Sequence, residues 1–231
     1  MSCWSVSSVR ELAVGGRNGS GHDTVSDAND QRKGVRMRNR GSGEAASKGL
    51  SWAAAVLTGT VALYITLVAF GNITDFGTNQ QYVQHVLAMD TTFHDPDLMW
   101  RAITSPTLQN AAYVAVIGWE SASALLLLAA TALWALRGRA GGAGRARGLA
   151  TAGLLMMMVL FGAGFWAIGG EWFSMWQSKQ WNGVEAAVRN FLMTGVVLLV
   201  VQLSGTVGRR PGPVRAADTA DVDDTDDPAG A

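Results

Sequence analysis

A single cysteine, Cys3, stands in 231 residues. It excludes an intrachain disulfide and any thiolate metal set, so redox and zinc-finger readings have no support. Histidine is nearly as scarce, with three copies, and none falls inside a long apolar run. Haem ligation by paired intramembrane imidazoles is thereby removed. No Ser-His-Asp order, Gly-rich phosphate loop or HExxH string occurs. The remaining acid and base groups lack a nucleophile or metal set, and no enzyme, cofactor or bound metal is expected. Charge is sparse too, at 16% Asp, Glu, Lys and Arg with a net of zero, and almost none of it lies in four stretches.

Those four stretches are what the chain has in abundance. Residues 52–71, 111–136, 149–169 and 184–203 each reach the ~20 apolar residues that a helix needs to cross ~30 Å of hydrocarbon. The first is not a cleavable signal peptide: it starts deep in the chain, is longer than a signal core and lacks a small-x-small site before its polar exit. The predicted fold is all-α, an antiparallel four-helix bundle integral to the membrane, in one domain over residues 50–207. No stretch reads as a separate soluble domain, and nothing points to nucleic acid.

The flanks are polar. Residues 1–49 are rich in Gly, Ser, Asn and charge without apolar periodicity and are expected to be a disordered tail; Met37 is an alternative start. Residues 208–231 end in an acidic cluster from Asp218 to Asp227 and read as a second disordered tail. Segment 137–148 (RGRAGGAGRARG) reads as a flexible hairpin loop. Lys and Arg concentrate in the N-terminal tail (Arg32, Lys33, Arg36, Arg38, Arg40, Lys48), in that loop and after residue 208. The positive-inside rule then places both termini in the cytoplasm and the chain in the inner (plasma) membrane as a multi-pass protein. Trp100, Trp172, Trp176 and Trp181 fall at the outer interface, Trp52 and Trp134 at the inner one.

The first outer loop, 72–110, is long and aromatic, and long loops in compact domains carry function or their own structure. In its 80–89 segment Tyr82, Val83, Val86 and Met89 share one face, which predicts a short amphipathic helix. Asp95-Pro96 predicts a second short helix through Trp100–Ile103, and Ser105-Pro106 opens the second span. The loop is read as a folded cap in which Tyr82, His85, Asp90, Trp100 and Arg101 make the holding contacts. The second outer loop, 170–183, brings Trp172, Trp176 and Trp181 to the interface or beneath the cap.

Glu120 is the residue most in need of explanation, because a carboxylate inside a span costs several kcal/mol and normally faces a partner, cavity or ligand. Arg189, just inside the fourth span, lies at a similar depth at ~1.5 Å of rise per residue. Asp75, Glu171, Glu185 and Asn190 cluster near the same end. Two readings of a Glu120–Arg189 pair stand: an ion pair that fixes helix register, or a polar site serving as proton relay or ligand anchor. His85 and His94, with Met89, Met99, Asp90 and Asp95 nearby, match no compact ligand spacing. Gly118 with Ala122, and Gly162, Ala163, Gly164 and Ala167, are expected where helices approach closely.

The strings NITDFGTNQQYVQHVLAMDTTF, WRAI, IGWE and IGGEWFSMWQSKQWNG, with Arg189-Asn190-Phe191 downstream, resemble a bacterial family of predicted small integral membrane proteins, a domain of unknown function. The resemblance covers residues 50–205, about two-thirds of the chain. It implies four spans and supplies no reaction, ligand or partner. The expected role is a non-enzymatic accessory or scaffold protein of the lipid bilayer that binds a membrane-protein partner, a second copy or lipid through cap and polar pocket. The alternative is a small transporter or proton-coupled permease using Glu120 and Arg189.

Overall fold

The computed structural model describes residues 23–136 and 142–206. The chain divides into two units, residues 1–43 and 44–231. In the first, the described residues 23–43 are helical and form the opening of α1 (Asp23–Thr74). Helix therefore replaces the disorder expected for residues 23–49, and Met37 lies within it. No proline interrupts this helix. The expected disorder of residues 1–22 and 208–231 falls outside the described residues, as does the part of the hairpin loop at 137–141.

The second unit contains the four spans. They are Glu44–Thr74 of α1, Pro106–Leu136 (α3), Gly142–Trp172 and Val184–Thr206 (α5), each long and apolar enough to cross a membrane. The third is α-helical over Gly142–Met158 (α4) and continues as π-helix over Val159–Trp172. All four coincide with the predicted runs and extend beyond them, because polar first and last turns add to the apolar centre. The start of α3 shows this: Pro106 takes the first helical position and the Gln109 N–H reaches the Ser105 carbonyl at 3.0 Å.

Contacts between spans run in opposite senses, which makes neighbours antiparallel. Gly59 meets Thr131 while Asn72 meets Glu120. Trp119 Nε1 donates to the Met156 carbonyl at 2.8 Å, and Gly153 lies against Leu127. Arg147 donates to the Ser204 carbonyl at 3.2 Å, whereas Gly162 faces Phe191. The interior is built from Val61, Ile65, Leu127, Leu154, Met157, Phe161, Val197 and Val201, with alanines between them. Small residues set the helix spacing: a Cβ on Gly162 would lie 2.8 Å from the Phe191 ring, and one on Gly153 would lie 2.8 Å from Leu127. Gly118, expected at a close approach, has open space around it. Gly118 itself is exposed, although Trp119 and Glu120 beside it engage neighbouring helices.

The cap is folded. Helix α2 (Phe76–Ala88) begins four residues before the predicted 80–89 and stops at Met89, whose backbone is left-handed (φ 53°) and whose side chain is buried. Burial offsets the ~1–2 kcal/mol cost of that conformation for a residue with a Cβ. The predicted second helix is only a 3₁₀ turn, Met99–Arg101. There the Asp95 carboxylate accepts the Asp97 N–H at 3.0 Å and its carbonyl accepts those of Leu98 and Met99. Those turn bonds consume the capping groups before an α-helix can propagate.

Candidate functional site

Five helical segments direct side chains into one cavity of about 260 Å³ at the cap end of the bundle. From α1 come Tyr64, Val68 and Asn72, spaced i, i+4, i+8; from α3 come Tyr113, Val116 and Glu120, spaced i, i+3, i+7. From α5 come Ala186, Ala187 and Asn190, with Gly183 just before its start; the π-helical stretch adds Phe161 and Phe165. These spacings each keep one helical stripe on one side. Helix α2 closes the space with Asn79, Tyr82 and Val83.

Polar groups in this cavity are paired mainly with one another. The Asn72 side-chain amide donates to Glu120 Oε2 at 2.6 Å, and the Tyr113 hydroxyl donates to the Asn72 carbonyl at 3.1 Å. Opposite, the Tyr64 hydroxyl donates to Asn190 Oδ1 at 3.1 Å. Glu120 is 3% exposed, and among the described residues no hydrogen bond reaches its second oxygen. Apolar walls from Val68, Val83, Val116, Phe161 and Phe165 surround this polar pole. An amphipathic cavity of this kind orients a small molecule by its hydrogen-bonding end.

Glu120 is not paired with Arg189. Arg189 is exposed and no ion pair joins the two, while the adjacent Asn190 is buried and lines the cavity. Successive residues on a helix are turned ~100° apart, so matching depth did not ensure matching direction. The same rotation removes Glu185, exposed one turn before Arg189. Glu171 is also exposed and lines a separate groove with Arg101, Trp172 and Phe173. Asp75 is exposed and accepts the Thr78 hydroxyl at 2.9 Å. Of the predicted polar cluster, only Asn190 reaches the Glu120 cavity.

The cap residues fare differently. The Tyr82 hydroxyl lies 2.8 Å from Met175 Sδ, and its ring stacks on Phe165 at 6.4 Å. Burial pushes this phenol up to about 12, which keeps it a neutral donor. A Cβ on Gly183 would strike that hydroxyl, so only glycine admits Tyr82 here. His85 stacks on Trp181 at 4.7 Å and 16°, and its Nδ1 is 2.8 Å from Asp90. Trp100 packs edge-on to Trp172 at 5.6 Å, and the Arg101 guanidinium sits 4.8 Å from the Trp172 ring. Phe93 meets Trp176 edge-on at 6.1 Å while its N–H donates to Gln177 Oε1 at 2.9 Å. The Thr91 hydroxyl adds a 2.9 Å bond to Ser178. The second loop's aromatics thus contact the cap.

Sequence reasoning did not single out Asn72, Tyr64, Tyr113, Asn79, Phe161 or Phe165. The available signal was the stripe Tyr64-Val68-Asn72 on the first span, whose polar ends share a face with nothing polar between them. His85 and His94 do not come together: His85 is engaged by Asp90 and Trp181, and His94 is exposed with φ 56°. Among the described residues, no three His, Cys, Asp or Glu side chains converge as a metal set.

No curated protein and no solved structure matches the chain. A family model does match, over residues 50–204, the stretch that holds the cap, the Glu120 cavity and all but the outermost turns of the four spans. The chain belongs to the family of predicted small integral membrane proteins (DUF2165).

Proposed function

We propose that this integral membrane protein is a non-catalytic binding protein that holds a small molecule or lipid group in the capped cavity around Glu120. The supporting observation is the buried Glu120 carboxylate, donated to by Asn72 alone among the described residues, facing a cavity of about 260 Å³ between four spans. A carboxylate kept at this depth without a counter-charge calls for an occupant that completes its hydrogen bonding. Binding is preferred to catalysis because the lining offers one carboxylate, amides and phenols, with no nucleophile–base pair. A permease acting through a Glu120–Arg189 pair loses its motivation, since Arg189 points away from the bundle interior.

The proposed setting is the plasma membrane, with both termini in the cytoplasm and the cap outside, supported by the Lys and Arg bias of the tails and the 137–148 loop. A reporter fused after Arg209 should then be cytoplasmic and one near Thr92 exported. The binding reading is tested by purifying the full chain in mild detergent, extracting it with organic solvent and weighing what is released. A stoichiometric small molecule should be recovered from the native protein and lost in Ala186→Phe, which fills the cavity. An empty native protein whose unfolding temperature no lipid or metabolite raises would remove the proposal.

A further inference from the structure

Which chemical class fits this cavity follows from its charge and its walls. Among the described residues, Glu120 is the one carboxylate in the lining, and no Lys, Arg or His accompanies it. Five aromatic rings line the same space: Tyr64, Tyr82, Tyr113, Phe161 and Phe165. The last two lie 5.8 Å apart and Phe165 stacks with Tyr82, so they form a continuous wall. An anionic occupant would meet the carboxylate with no positive group to offset it. A neutral apolar occupant would leave the second carboxylate oxygen without a donor, a cost that water-free surroundings enlarge.

A hard metal ion suits the lining poorly as well, because it needs about six oxygen ligands and the walls here are largely rings and aliphatic side chains. Ring faces are negative and attract cations of low charge density, and a carboxylate supplies the full counter-charge. Both features line the same cavity. Its volume lies below the ~300–1,000 Å³ of sites for drug-sized molecules, which limits the occupant to a small one.

Resting on the binding role proposed above, we infer that the cavity takes a small organic monocation, an amine or quaternary ammonium with an apolar body. Its nitrogen sits against Glu120, and its body lies along Phe161 and Phe165. Asn72 positions the carboxylate and leaves one oxygen for the ligand.

The test uses the full chain in detergent and three probes of matched shape: benzyltrimethylammonium, its uncharged carbon isostere neopentylbenzene, and the anion benzylsulfonate. Binding is read by calorimetry and by the shift in unfolding temperature. The cation should bind about tenfold or more tightly than the isostere, and the anion should not bind. Glu120→Gln keeps an acceptor for Asn72 and removes the charge; it should cancel the preference while the isostere binds as before. Equal binding of cation and isostere would overturn the cation assignment and leave the general binding role standing. Failure of all three probes to bind the folded native protein would overturn both. The native-protein comparison of cation and isostere decides the matter without reliance on any variant's folding.

Discussion

Asn72, at the end of the first span, donates its side-chain amide to Glu120 of the second span over 2.6 Å, a pairing that bridges 48 positions in sequence. It gives the buried carboxylate its one donor among the described residues and ties two helices at the depth of the cavity. Removing the amide while the carboxylate remains should cost about 1–3 kcal/mol. Asn72→Ala is therefore expected to lower the unfolding temperature in detergent clearly, and Glu120→Gln to lower it less, because an amide oxygen still accepts from Asn72. Arg189→Ala, on an exposed face, should stay within about 0.5 kcal/mol of native. A loss at Arg189 as large as that at Asn72 would restore the ion pair that the geometry rejects.

Gly183 and Tyr82 form a second coupled pair. A methyl at 183 would run into the Tyr82 hydroxyl, which is held by Met175. Overpacking of this kind costs about 1–3 kcal/mol. Gly183→Ala should lower thermal stability by that amount, and adding Tyr82→Phe should recover most of it. Strict additivity in the double variant would show that the two positions do not touch.

Glycines in the spans divide by what faces them. At Gly162 a new methyl would press on the Phe191 ring at 2.8 Å, whereas Gly118 has nothing within 4 Å. Gly162→Ala should destabilise by about 1–3 kcal/mol. Gly118→Ala should be neutral or stabilise by up to about 1 kcal/mol through helix propensity. Equal effects in a thermal-unfolding comparison would contradict the helix packing described.

Cap docking is open to proteolysis. Trp181 stacks on His85 and meets Tyr82 edge-on at 6.2 Å. Loss of two such contacts is worth about 1–3 kcal/mol. In the native protein residues 89–105 should resist protease, and Trp181→Ala should speed cleavage there by roughly tenfold, since cleavage follows the open population. Rapid cleavage of the native protein with the spans intact would mean an undocked loop.

The four spans were legible in the sequence because hydrocarbon leaves little choice: an apolar run of sufficient length with its charges at the ends has few other uses. The cap was legible in part. Helix α2 announced itself through the spacing of Tyr82, Val83 and Val86, but Asp95 and Pro96 gave an equally good helix signal where only a turn formed. Capping chemistry does not reveal whether the following residues will propagate. The site was half legible. Glu120 stood out by its cost, while its partner was misjudged, because depth along a helix follows from counting and direction around it requires knowing the packed face. Asn190 and Arg189 are neighbours in sequence, and only the former turns inward. Asn72 was overlooked because a residue at a span boundary reads as ordinary interface polarity.

The central claim is that Glu120 gives a cation-preferring character to a capped cavity, and thiol labelling reads this directly. Cys3 is the chain's single cysteine, so Cys3→Ser provides a blank background for Ala186→Cys in the cavity wall. A trimethylammonium-bearing methanethiosulfonate and its sulfonate-bearing counterpart would be compared for labelling rate in the folded full chain. With each rate taken relative to that reagent's rate with a free small thiol, the cationic reagent should react about tenfold or more faster, and Glu120→Gln should abolish the difference. Equal rates with Glu120 in place, or a preference that survives Glu120→Gln, would contradict the account.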